Sequence, residues 1–249
     1  RKNLISVCDE SIILLDRFYG WGANWMGKID EFEQKIIKQG MTDADFVEYE
    51  KLLKRVRGNF SKRQHCYTTA IQFPSKYAEQ AVKLIQYGLD NFEDGWFSTY
   101  TSYLYIGHIY ERINKYQKAY ESYLLAKEAL GIDHPEYVEE LSKDLMWMKL
   151  HVDSFKYSAE LEDYLSQYQK TSDFSKAFIN TEFKIAVANI VVALHYERYD
   201  EAKKFLERAK EICNPNYVGK LYDILARHKH KETLTTTPES ILFIQNLEI

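Results

Sequence analysis

The chain has 249 residues, 45% hydrophobic and 28% charged, with a net charge of −4 and a pI near 6.0. That balance allows one large or two small folded domains and supplies no overall positive field for a polyanion, so nucleic acid is not an expected partner. Ten Gly and four Pro are few for the turns of a β-rich fold of this size, so long helices are expected instead.

Helical spacing of apolar residues begins at once. Ile5, Cys8, Ile12, Leu15 and Phe18 mark a helix over Leu4–Tyr19, interrupted by Gly20-Trp21-Gly22. A second is predicted over Trp25–Lys38, stopped by Gly40, and a third over Asp43–Arg57, with Thr42 before an acidic first turn that suits the helix dipole. None of the three carries regularly spaced small residues. Residues 1–60 therefore read as an N-terminal helical cap or bundle covering the apolar end of the paired helices beyond residue 60.

From residue 61 the helices come in pairs. Lys62–Phe73 and Ser75–Leu89 are separated by Pro74, and Ala81, Ile85 and Gly88 space the second helix. In Tyr100–Gly131 the order is fixed: Tyr103, Ile106, Gly107 and Tyr110, then Ala119, Tyr123 and Ala126. Small residues in both helices let the backbones approach while the larger ones fill the flanks. Pro135 opens a helix through His151, paired with Ser154–Tyr168, where Tyr157, Leu161 and Tyr164 form a weaker triplet. Phe174–Tyr196 pairs with Asp200–Cys213, where Ala202, Leu206 and Ala209 restore it and Pro215 closes it. The anchors Ala81, Ala119, Tyr157 and Ala202 are 38, 38 and 45 residues apart, and Tyr110-Glu111-Arg112 is echoed by Tyr196-Glu197-Arg198. Tyr217–His230 is expected as a further helix closing the last hairpin, so the helical repeats are expected to occupy 61–230. Residues 231–249 are a linker and a short apolar segment with Ile241, Leu242, Phe243 and Ile244.

The segment around Gly107 resembles a tetratricopeptide repeat, with Tyr103 where tryptophan is common and the closing proline late, at Pro135. The resemblance extends over about residues 61–215. It implies an all-α fold, an α-α superhelix of stacked helical hairpins, whose first helices line a concave groove for a protein or peptide partner. Carried over, the groove positions are Thr101, Leu104, His108 and Glu111, then Glu139, Ser142, Met146 and Lys149. The first hairpin would add Arg63, Cys66 and Ala70. Family members that hold a chaperone's terminal carboxylate use Lys, Arg and Asn here; Leu104 and His108 argue against that role.

Chemistry is not signalled. There is no GxSxG, HExxH or phosphate loop, and Gly20-x-Gly22 has no third glycine. Cys8, Cys66 and Cys213 are odd in number and far apart, and His228 and His230 diverge on a helix, so neither a metal site nor a cofactor is expected. The basic run Lys54, Arg55, Arg57, Lys62 and Arg63 fits a helix C-terminus better than a phosphate site. The 20 Tyr suit a thin two-layer solenoid, ring between helices and hydroxyl at water.

No apolar run reaches the roughly 18 residues of a membrane span; Ile185–Leu194 is shorter and holds Asn189. A cytoplasmic location is expected, with export left open because the chain starts at Arg1 rather than Met. The leading reading is a non-enzymatic protein- or peptide-binding scaffold. The alternatives are a peptide-sensing regulator of bacterial type, for which Asn189 is the candidate to grip peptide backbone, and a structural subunit that forms a homo-oligomer through its tyrosine-rich faces or apolar tail.

Overall fold

A computed structural model of the chain describes residues 27–169, 179–212 and 238–247. The helices expected over Leu4–Tyr19 and Tyr217–His230 lie outside them, as do Cys8 and Cys213. Every regular element among the described residues is helical. In order they are α1 (Lys28–Gln39), α2 (Asp43–Leu53), α3 (Asn59–Ile71), α4 (Ala78–Asn91), α5 (Trp96–Arg112), α6 (Tyr116–Leu130), α7 (Pro135–Val152), α8 (Ala159–Gln169), α9 (Ile179–His195), α10 (Tyr199–Ile212) and α11 (Pro238–Asn246). None of them is long and apolar enough to cross a membrane. Two compact units divide the described residues, meeting in the chain between Met148 and Lys149 inside α7.

In the first unit, α1 and α2 share one core with α3, α4 and α5. Ile36, Tyr49 and Leu53 pack in the same cluster as Tyr67, Ala81, Ile85 and Ile106. The start of α2 is set by a reciprocal cap: Asp45 N–H donates to the Thr42 hydroxyl, and Thr42 N–H donates back to the Asp45 carboxylate, each at 3.1 Å. Lys35 adds an ion pair to Asp45 at 2.8 Å, and these partners hold the carboxyl down to about 2. The helix ends at Leu53 rather than Arg57, because Arg55 and Val56 N–H turn to the carbonyls three residues back.

The α5–α6 hairpin owes its closeness to one missing side chain. A Cβ on Gly107 would stand 2.2 Å from Tyr123 Cε1. Tyr123 is fully buried, and its hydroxyl donates to Glu111 Oε2 at 2.8 Å, so the ring is pinned at both ends. Gly107 thus admits a ring, not a second backbone; Ala119 and Ala126, also fully buried, flank it. The α3–α4 hairpin repeats the device more mildly, with Gly88 at the Cys66 Cβ, 3.0 Å from where its own Cβ would stand.

Three helices end in the same turn. After α5, Lys115 N–H bonds Tyr110 O at 2.9 Å and Asn114 N–H bonds Glu111 O at 2.9 Å, with Asn114 at φ +59°. After α7, Phe155 and Ser154 make the same two bonds to Leu150 and His151; after α9, Arg198 and Glu197 make them to Ala193 and Leu194. Each is a Schellman turn with a left-handed residue, filled here by Asn, Ser and Glu instead of Gly. Phe155 is left-handed as well, at φ +58°, an unfavourable conformation for a bulky side chain. Its ring is held by His151 and by stacking on Phe243 of α11 at 4.9 Å.

These turns correct the register read from spacing. Tyr157 precedes α8, so the third triplet is not Tyr157, Leu161 and Tyr164 but Leu161, Leu165 and Tyr168, all buried with the spacing of Ala119, Tyr123 and Ala126. The anchors become Ala81, Ala119, Leu161 and Ala202, at intervals of 38, 42 and 41 residues. Two residues of the change come from the turns, which lie 40 apart at Lys115 and Phe155, and two from the longer passage into α8, where α6 starts directly after Lys115.

In the second unit, Ala202, Leu206, Ala209 and Ile212 bury one face of α10, and Arg208 reaches Glu182 of α9 at 2.5 Å. The apolar tail is the helix α11, with Ile244 buried and Leu242 exposed.

Two outcomes are expected. Gly107→Ala should cost about 2–3 kcal/mol in urea unfolding, and clearly less in a Tyr123→Leu background, since the clash is between these two groups; equal costs in both backgrounds would refute that contact. Burial pushes the His151 imidazole down to about 4, with Glu239 opposing and Lys184 adding to the shift. The unfolded state therefore binds the extra proton first. His151 should contribute fully above pH 6.5 and be lost as pH falls toward 4, a loss on the order of 2 kcal/mol between pH 7 and 5 that His151→Gln reduces in thermal melts.

Candidate functional site

The face of α5 expected to line a groove is partly open. Leu104, His108 and Glu111 are half-buried, while Thr101 is buried and its hydroxyl donates to the Phe97 carbonyl. Helical periodicity places these residues along one stripe, and Gly107 allows Tyr123 of α6 to come up behind them. His108 lies 5.7 Å from the Tyr123 ring and 6.1 Å from Tyr105, centroid to centroid. Its Nε2 is 3.8 Å from Asp144 Oδ2 of α7, and both side chains are mostly buried.

Around that pair the site is acidic on one side and aromatic on the other. Glu140 pairs with Lys143 at 2.5 Å one turn before Asp144. Tyr100 is buried beside them, and burial first, then the Asp144 and Glu140 carboxylates, push its phenol well up. Toward the start of α5, Trp96 stacks on His134 at 3.6 Å and meets Tyr137 edge-on, with Trp96 and Phe97 partly exposed. Carboxylates and ring faces are both attractive to a cation.

The α7 residues named from sequence are spread over different surroundings. Glu139 is half-buried, but Ser142 and Met146 are fully buried, the Ser142 hydroxyl turned to the Val138 carbonyl. The turn after α7 lies 40 residues beyond that after α5, not 38, so Asp144 holds the position of Leu104 and Met146 faces inward. From Leu141 to His151 most of α7 is buried, which leaves little of it to line a groove.

Lys149, in the second unit, is held near Asp153 at 3.4 Å and Glu160 at 4.0 Å. Asn189 donates its amide to the Ile185 carbonyl of its own helix. The shared turn puts it in the place of Ile106, not of a groove residue.

Arg63, Cys66 and Ala70, the groove positions expected of the first hairpin, are all buried. Arg63 donates to Thr99 Oγ1 at 2.7 Å and reaches the Gly88 and Leu89 carbonyls at the end of α4, each at 3.4 Å. It is a cation at a neighbouring helix C-terminus. Burial pushes the Cys66 thiol far up, so it packs as an apolar group.

Spacing did not reveal Asp144, Tyr100 or Trp96; the aromatic density of 96–105 was the available signal for the last two. One metal-capable group was also hidden from it. Among the described residues, Asp30, Glu33 and His65 bring one ligand atom each within 4.8 Å of one another.

No protein-family model, curated protein or solved structure matches this chain. What its own geometry defines is a class, an all-α protein of recurring helical hairpins with a half-buried polar and aromatic face on α5 and α7.

Arg63→Met should destabilise the protein by about 2–4 kcal/mol in chemical denaturation, through orphaned helix-end carbonyls and a lost bond to Thr99. A change below about 0.5 kcal/mol would return Arg63 to the surface-facing role.

Proposed function

We propose that this chain is a non-enzymatic scaffold of the tetratricopeptide type, an α-α superhelix that takes an extended peptide segment of a protein partner on the face of α5 and α7. The observation that carries the reading is the recurrence of the buried triplet at 38, 42 and 41 residues, joined to one turn geometry used three times. Hairpins repeated in this way suit a stacked array, in which the first helices would line one side.

The chemistry of that face favours a partner segment bearing Lys or Arg. Glu111, Glu140 and Asp144 outnumber Lys143, and Trp96, Phe97 and Tyr137 add ring surface beside them. Extended peptides bind such surfaces by a few anchored side chains over an apolar floor, here Leu104. His108 and Asp144 act in this reading as a polar anchor, without a catalytic role.

Neither alternative gains a comparable observation. The Asn189 amide is engaged along its own helix, and the apolar tail is folded as α11, with Phe243 on Phe155.

A displayed library of extended peptides tests this directly, panned on the wild type and on Leu104→Arg and Asp144→Lys variants shown by circular dichroism to be folded. The wild type should enrich Lys- or Arg-bearing sequences with micromolar, salt-sensitive affinity. Asp144→Lys should lose them by about 10-fold or more. Equal enrichment on all three proteins would remove the α5–α7 face from consideration.

A further inference from the structure

We infer that Asp30, Glu33 and His65 form a binding site for one divalent transition-metal ion of the Zn²⁺ type. Asp30 and Glu33 lie three residues apart on one face of α1, and His65 comes from α3, so two helices in one core supply a nitrogen and two carboxylates. Imidazole with carboxylates is a zinc ligand set, and three protein ligands leave a fourth position for water.

Each carboxylate is already oriented by a partner of its own. Asp30 Oδ2 accepts from Gly27 N–H at 2.8 Å, the cap of α1. Glu33 Oε1 accepts from the Tyr49 hydroxyl at 2.5 Å and lies 2.9 Å from His65 Nδ1. Tyr49 is almost fully buried and also touches Thr69 Oγ1 at 3.4 Å, so the donor to Glu33 cannot swing away. This is the arrangement of a metal centre, in which outer groups fix the ligand carboxylates before the ion arrives.

The charge balance points the same way. Two carboxylates converge on a half-buried spot with one imidazole, which supplies at most a single positive charge. Glu33 and His65 alone would make a satisfied ion pair; Asp30, which also caps α1, adds a second negative charge beside the same imidazole and leaves the group one anion in excess. A dication balances it. Bonds of about 2.0–2.2 Å to Zn²⁺ require the three ligand atoms to close by roughly 1 Å, which small side-chain rotations at these partly buried positions supply. The ion would pin α1 to α3 and so tie the N-terminal helices to the first hairpin.

The test is calorimetric titration of the metal-stripped full chain with Zn²⁺ alone, run beside His65→Gln and Asp30→Asn, with thermal melts of each. Wild type should bind one equivalent more than His65→Gln and gain thermal stability on loading. Asp30→Asn, a first-turn change outside the buried core, should bind at least about 10-fold more weakly, and Tyr49→Phe about 10-fold more weakly. Equal stoichiometry and affinity in wild type, His65→Gln and Asp30→Asn would overturn the site and leave a hydrogen-bonded network in its place. Mg²⁺ binding as tightly as Zn²⁺ would overturn the imidazole-ligated assignment.

Discussion

The first unit depends on a ring placed where a side chain is missing. Tyr123 occupies the volume that any Cβ at Gly107 would need, and because its hydroxyl is bonded to Glu111 the ring cannot retreat. That contact sets the distance between α5 and α6, and with it the depth at which Tyr105, Ile106 and Ile109 enter the core. It also backs the candidate face, since Tyr123 lies behind His108 and fixes Glu111 beside it. Packing and site therefore share one residue, and a change meant for either reaches both.

Repetition in this chain is carried by backbone geometry more than by residue identity. The turns after α5, α7 and α9 use the same pair of hydrogen bonds, although Asn114, Ser154 and Glu197 have little in common chemically. A left-handed residue costs about 1–2 kcal/mol when it is not glycine, so each turn must be held by the helices on either side. Phe155 shows how: its strained backbone coincides with a ring held between His151 and Phe243, so the last described helix stabilises a turn far from it in the sequence. The apolar tail thus has an internal task.

Buried polar groups divide into those that serve the fold and those that converge. Arg63 serves the fold, spreading its guanidinium over the end of α4 and Thr99. Asp45 does likewise, joining the cap of α2 to Lys35. Around His65, by contrast, two carboxylates gather on one imidazole, and around Tyr100 the carboxylates of Glu140 and Asp144 lie close together, the latter 3.8 Å from His108. Gathering like charges costs energy that packing alone has no reason to spend, which is why these two places carry the functional readings.

Helix content, the pairing of helices and the small-large order around Gly107 were legible from the amino-acid sequence, because a 3.6-residue period and sterically small positions are local properties. Thr42 as a cap and Pro135 as a helix start were legible for the same reason. Register was not. The turn after α7 falls 40 residues beyond that after α5, which turns Met146 inward, two further residues before α8 moved Tyr157 off the helix, and no glycine marked the turns that reveal this. The candidate face was half visible, as Leu104, His108 and Glu111, while Asp144 needed the packing of α7 against α5 to be found. His65 likewise meets Asp30 and Glu33, neighbours on one face of α1, only through helix packing. Periodicity fixes which side of a helix is apolar, but which charges converge is decided by how helices distant in sequence are brought together.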